Sequence, residues 1–233
     1  MRRWRSSCSR PGASPSRPSG STCWGSPASA SATCCPVSSS PPHWSRSSRS
    51  DVDPRDVEAY RRDGVVVLRG VVPAATLAAL ARGLEANMAS PGPWANDYTP
   101  PGAPGRFFDD YVNWARIPEY AEAATRGPLP GIALALMGGR AARLFHEHVL
   151  VKEAGTREPT PWHHDDPYYG IDGMDNVSLW VPLDPIPVEM ALRFIPGSHR
   201  WGARYIPRRF ADQREYVDAA AGFTHLPPPA ELD

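Results

Sequence analysis

Cysteine is missing from residue 51 onward. The four in the chain, Cys8, Cys23, Cys34 and Cys35, all lie in the first fifty residues. Disulfides therefore play no part in residues 51–233, and a reducing cytoplasm suits them. None of the four forms a CxxC pair, which argues against a zinc site. Lysine is almost absent, Lys152 being the only one. No apolar run approaches the roughly 20 residues that a membrane span needs. Acidic residues are absent from residues 1–50, where seven Arg stand among Ser and Pro. Setting those seven aside leaves 18 cations against 25 acids in residues 51–233, a formal charge of −7. The overall zero is the average of a basic tail and an acidic domain, and an acidic domain argues against nucleic acid as its main partner.

Residues 1–50 cannot bury enough apolar surface to offset their ordering entropy, so they are expected to be a disordered, low-complexity tail. They contain no apolar stretch of the kind a secretory signal requires. They are Arg- and Ser-rich like a transit peptide, but without amphipathic period. Arg used in place of Lys, with abundant Ala, Pro and Gly, points to a GC-rich gene. Out-of-frame translation of such a gene yields mixtures of this type, and a misassigned start or frameshift is the favoured account of the tail. Residues 51–233 are read as one domain.

Within that domain, Asp53-Pro54 opens a helix that runs through Arg62 and stops at Gly64. The run Gly64 to Gly70 reads as a buried strand. Pro73 starts a second helix with Leu77, Leu80, Leu84 and Met88 on one face. Residues 90–105 form a Pro/Gly-rich loop, and Ile117–Arg126 and Gly131–Met137 are helices. Strand signals dominate from Ala142. The order is a helical layer followed by a β core, an α+β class with a mainly β core.

The chemistry concentrates at Pro161-Trp162-His163-His164-Asp165-Asp166. On an extended segment, side chains at i and i+2 share a face, so His163 and Asp165 offer an imidazole and a carboxylate to one point. These are two of the three protein ligands of a 2-His-1-carboxylate iron site, which leaves positions open for substrate and O₂. His164 points to the opposite face and is read as structural.

The flanking segments sharpen this reading. Leu144 to Thr156 precede the motif; Asn176-Val177-Ser178-Leu179-Trp180 and Phe194-Ile195-Pro196-Gly197-Ser198-His199 follow it. In this order, with Gly105 to Trp114 upstream, the chain resembles the phytanoyl-CoA dioxygenase family from about Asp53 to Arg209. The resemblance implies a double-stranded β-helix, a cupin-like jelly-roll barrel with N-terminal helices packed outside. It implies an Fe(II)- and 2-oxoglutarate-dependent dioxygenase that hydroxylates a small molecule with O₂, ascorbate serving as reductant. It implies His163 and Asp165 as iron ligands. Asp165 argues for hydroxylation, because halogenating relatives carry a small residue in its place.

The resemblance also places Trp180 beside 2-oxoglutarate, with an ordinary core tryptophan as the plainer reading. It places His148 along the cosubstrate pocket. On that strand His146, His148, Leu150 and Lys152 share one face, and Lys152 is either a pocket cation or a solvated charge. Tyr168 and Tyr169 are expected to pack, and Asn113 and Arg116 to reach the substrate mouth. His199 is expected to be structural. The family's late His and the Arg that follows it are not found: His225 sits before Pro227-Pro228-Pro229, which would break a central strand. The expectation is a domain incomplete at its C-terminus and inactive as it stands. A cupin-type metal enzyme that does not use 2-oxoglutarate, and a non-catalytic binding protein, are the alternatives.

Overall fold

A computed structural model describes residues 43–45, 52–156, 159–169, 173, 175–210, 212–216 and 222–227. The first described element is strand β1, His43–Ser45, which pairs antiparallel with β4, Ala141–Arg143. This revises the boundary drawn from composition. Residues 43–45 belong to the expected tail, yet their backbone completes a two-stranded ladder, and the compact unit that holds every described residue begins at Ser38. The rest of the expected tail lies outside the described residues, as do Pro228 and Pro229.

Helix α1, Pro54–Asp63, forms where local signals specify it. The Asp53 carboxylate accepts from Arg55 N at 2.8 Å, Pro54 stands in the first turn, and Gly64 ends the helix at φ +79°. That glycine is also required by contact, since a Cβ there would collide with the His199 imidazole. The turn at Pro196-Gly197-Ser198-His199 thus docks on the end of α1. Gly197 N donates to Asp63 O at 2.7 Å, and His199 Nε2 donates to the Arg61 carbonyl at 3.3 Å. His199 is structural, as expected.

Helix α2 is Ala74–Ala89, α3 is Pro118–Thr125 and α4 is Leu129–Met137. The last closes at Gly138, φ +68°. All three fall where the apolar spacing places them. The expected strand over residues 64–70 does not form. Its β-branched run lacks a partner edge among the described residues, and Val67 is 69% exposed.

A second sheet has the order β2-β3-β5, all antiparallel: Asn96–Asp97, Phe107–Tyr111 and His148–Lys152. The central strand β3 is covered on both faces. Phe107, Phe108, Asp109 and Asp110 are all buried, so no in/out alternation marks it. Register places Tyr111 opposite His148, Asp109 opposite Leu150 and Phe107 opposite Lys152. Those six side chains share one face.

The fold is α+β, with four helices and small open sheets among the described residues. The buried apolar side chains come mainly from β3, α3 and α4, including Phe107, Phe108, Ile117, Tyr120, Ile132 and Leu134. A mainly β core is therefore not what the described residues display. Beyond β5 the chain makes 3-10 turns at Asp166–Tyr168, Val188–Met190 and Ser198–Arg200, and isolated bridges Tyr205–Thr224 and Arg208–Glu215. These segments leave the sheet open, with Val188, Met190 and Phe194 exposed. Among the described residues no helix is long and apolar enough to cross a membrane.

A buried polar junction ties the helical layer to the sheet. Asp110 is fully buried. Its carboxylate accepts from Asn87 Nδ2 and Gly92 N, each at 2.7 Å, and from Tyr111 N at 2.9 Å, with Arg116 3.7 Å away. Glu147 accepts from the backbone N–H groups of Asn113 and Trp114. Burial lifts its carboxyl above the usual range in spite of those bonds. Asn113 is fully buried, and its Oδ1 accepts from Arg116 Nε at 2.6 Å. Asn113 thus holds the scaffold together and does not line a substrate mouth; the Asp110-Tyr111-Val112-Asn113 turn that places it depends on partners far along the chain.

Candidate metal centre

His163 and Asp165 do converge, but not on a paired strand. Residues 161–164 are irregular, and Asp165 is helical in backbone (φ −69°, ψ −38°), at the start of the 3-10 turn Asp166–Tyr168. The turn brings His163 Nε2 to 3.3 Å from Asp165 Oδ1. Pro167, buried in the first turn, fixes the bend.

The tautomer of His163 follows from its other nitrogen. Nδ1 lies 2.7 Å from the Pro161 carbonyl, which can only accept, so Nδ1 carries a proton. In the neutral imidazole, Nε2 then presents a lone pair to a carboxylate oxygen. Two acceptors face each other, and a cation has to lie between them: a proton or a metal ion. For the proton case, burial works against the charged imidazole, yet the Asp165 carboxylate and the Pro161 carbonyl outweigh it and raise the His163 pKa. For the metal case, donors about 2.1 Å from an ion at right angles stand about 3 Å apart. The observed 3.3 Å fits a pair of adjacent ligands. An Nδ1–H held by a backbone carbonyl is also the usual outer support of a metal-bound His.

Asp165 is similarly supported. Its Oδ2 accepts from Ser178 Oγ at 2.8 Å, and the Tyr169 hydroxyl lies 3.0 Å from the same Ser178 oxygen. Burial would raise the Asp165 carboxyl, but the bonds from His163 and Ser178 hold it below the usual range. Burial and the Asp165 charge push the Tyr169 phenol up to about 12.

Aromatic rings wall the pair. Tyr168 and Phe210 stand 5.4 and 5.6 Å from the His163 ring. Tyr168 OH donates to the Arg208 carbonyl at 2.7 Å, which makes it a packing residue as expected. Tyr169 packs between Phe145 (5.4 Å) and His146 (5.7 Å). His164 turns away from the pair, toward Tyr205 (5.0 Å) and Trp201 (5.8 Å).

On the facing sheet, His148 Nε2 donates to Asp109 Oδ2 at 3.1 Å. The buried Asp109 also accepts from Tyr98 OH at 3.2 Å and Asn96 Nδ2 at 2.9 Å. His146 lies 6.4 Å from His148 and 6.0 Å from Tyr111, ring to ring. Burial, followed by the neighbouring His148, lowers its pKa to about 4, against the pull of Asp165. His146 is thus a neutral imidazole between the His148 face and the Asp165 carboxylate. Asp109 is not assigned to the site by the sequence, whereas His146 is placed there with His148 on one face of its strand. The signal for Asp109 is a pair of adjacent acids set between aromatics, since a buried carboxylate needs donors around it.

Lys152 shares the His148 face, but four residues along a strand separate them by about 13 Å. Its Nζ donates to Thr160 Oγ1 at 2.9 Å and lies 4.6 Å over the Phe107 ring. Trp180 is 51% exposed, two residues after Ser178, so it is not a core tryptophan. His225 Nδ1 pairs with Glu215 Oε2 at 2.9 Å and is largely exposed. Among the described residues no group of three His, Cys, Asp or Glu side chains is placed to hold a metal. His163 and Asp165 offer two donors to one point, and among the described residues no third such side chain joins them.

A family model described as phytanoyl-CoA dioxygenase (PhyH) matches residues 60–229. No curated protein and no solved structure matches the chain.

Proposed function

The chain belongs to the phytanoyl-CoA dioxygenase family, and from that premise we propose that it is an Fe(II)- and 2-oxoglutarate-dependent oxygenase that hydroxylates a small-molecule substrate. One observation carries the reading: the lone-pair face of His163 and the Asp165 carboxylate meet at 3.3 Å, each braced from behind. In this reading His163 Nε2 and Asp165 Oδ1 are the metal ligands. Fe(II), if bound there, would activate O₂, the oxidant, with 2-oxoglutarate giving up two electrons as it is decarboxylated to succinate and ascorbate keeping the iron reduced. His148, held by Asp109, faces the cosubstrate with a fixed tautomer. Trp180 supplies an exposed aromatic wall, and Lys152 a cation at the far end of the His148 face. The barrel closure typical of the family belongs to this proposal too, as does a cytoplasmic setting for a domain without cysteine.

A second reading, a non-catalytic binding protein, is favoured by the two-donor set among the described residues. Titrating 2-oxoglutarate into the full chain, anaerobically, with and without Fe(II), separates the readings. The proposal expects binding that requires Fe(II) and disappears in His163→Ala. Fe(II) uptake without any effect of 2-oxoglutarate would indicate a cupin-type metal enzyme. Uptake of neither would leave the binding protein.

A further inference from the structure

The hydroxyl of Ser178 stands 2.8 Å from Asp165 Oδ2 and 3.0 Å from the Tyr169 hydroxyl. A carboxylate only accepts, so Ser178 Oγ–H donates to Asp165, and the Tyr169 hydroxyl stands within hydrogen-bond reach of Ser178 Oγ while also interacting with the Asp165 carboxylate. This relay occupies one carboxylate oxygen and leaves the other, Oδ1, turned to His163. Three segments meet there: the His163–Asp165 turn, Tyr169 just past the 3-10 turn, and the Asn176–Trp180 stretch. Ser178 itself is exposed and Tyr169 packs on Phe145 and His146, so the relay joins a held phenol to the carboxylate. We infer that Ser178, oriented by Tyr169, is a positioning residue that reserves Asp165 Oδ1 as a single-oxygen metal ligand.

The consequence is a matter of coordination number. A free carboxylate can chelate an ion through both oxygens and take up two positions. A hydrogen bond donated to Oδ2 competes with that second metal contact and favours one-oxygen binding, so that a further position stays open for exchangeable ligands. Outer-sphere partners of this type commonly alter metal affinity by about 10- to 100-fold.

The inference rests on the metal reading of His163 and Asp165, and Co(II) titration of the full chain keeps the two apart. The readouts are Co(II) affinity and the intensity of its visible absorption bands, which respond to coordination number and geometry. Ser178→Ala is expected to weaken Co(II) binding by about 10- to 100-fold and to alter the band intensity. Ser178→Thr, which keeps the hydroxyl at an exposed position, should restore both. Tyr169→Phe should fall between. Melting temperatures of the metal-free variants should match the parent chain. Ser178→Ala with unchanged affinity and spectrum would overturn the inference, while loss of binding in His163→Ala alone would leave the metal reading standing. A drop in metal-free stability that accounts for the weaker binding, or failure of Thr to restore it, would also overturn the inference. A parent chain that takes up no Co(II) would remove the metal reading and the inference together.

Discussion

At the scale of single residues, His146 is one of the groups that set how the region responds to acid. Its pKa of about 4 in the folded chain lies below the ordinary 6.5, because burial and His148 both disfavour the charged ring. The unfolded chain therefore takes up the proton first as pH falls. Stability that is present above about pH 6.5 is lost between 6.5 and 4, where the folded imidazole also titrates. The predicted loss attributable to this residue is on the order of 2 kcal/mol. Urea denaturation of parent and His146→Gln proteins across that window checks it. The variant's stability should fall less steeply with acid, and parallel curves would contradict the assignment. His146 was legible as a partner of His148 on a polar face, but its packing against Tyr169 was not, because the 3-10 turn that places Tyr169 lies far along the chain. The His163–Asp165 pair was legible, since two positions apart is close in almost any backbone. The route was not: a turn, and not a strand, brings the donors together.

At the scale of elements, the Asp110 junction fastens the helices to β3. Removing its carboxylate strands Asn87 Nδ2, Gly92 N–H and the Arg116 charge in a buried place. Asp110→Ala is expected to cost about 3–5 kcal/mol, a drop in Tm on the order of 10 °C for a chain of this size. Glu122→Ala, which removes only the exposed ion pair with Arg126, should leave the melt unchanged within error. Equal effects would show that the junction does not hold the layers. This junction also explains what the sequence could and could not reveal. Helix α1 was readable because Asp53, Pro54 and Gly64 are local signals that act on their own neighbours. Strand β3 was not readable as a strand, because both its faces are covered and its acids are paired by Asn87 and Asn96 from elsewhere. The Val65–Leu68 run misled in the opposite direction: its β-branched residues favour a strand, but a strand needs an edge to pair with.

At the scale of the whole molecule, the end of the described unit matters as much as its core. His43–Ser45 pair with β4, so the segment that composition assigns to a tail contributes a ladder. Deleting residues 1–37 should leave the melting temperature unchanged, whereas deleting 1–50 should lower it by exposing the β4 edge. Identical melts for the two deletions would remove β1 from the fold. The barrel that the family implies is not seen among the described residues, whose sheets are open, and its closure would depend on pairings between distant strands that no local pattern specifies. What the sequence does specify locally, the pair of donors, is where the account is most exposed to test. The most direct measurement is Fe(II) stoichiometry after anaerobic loading of the parent chain, His163→Ala, Asp165→Ala and His164→Ala. The account predicts one Fe(II) per parent chain, loss in the first two variants and retention in His164→Ala. Equal retention in all four, or equal loss in all three variants, would contradict it.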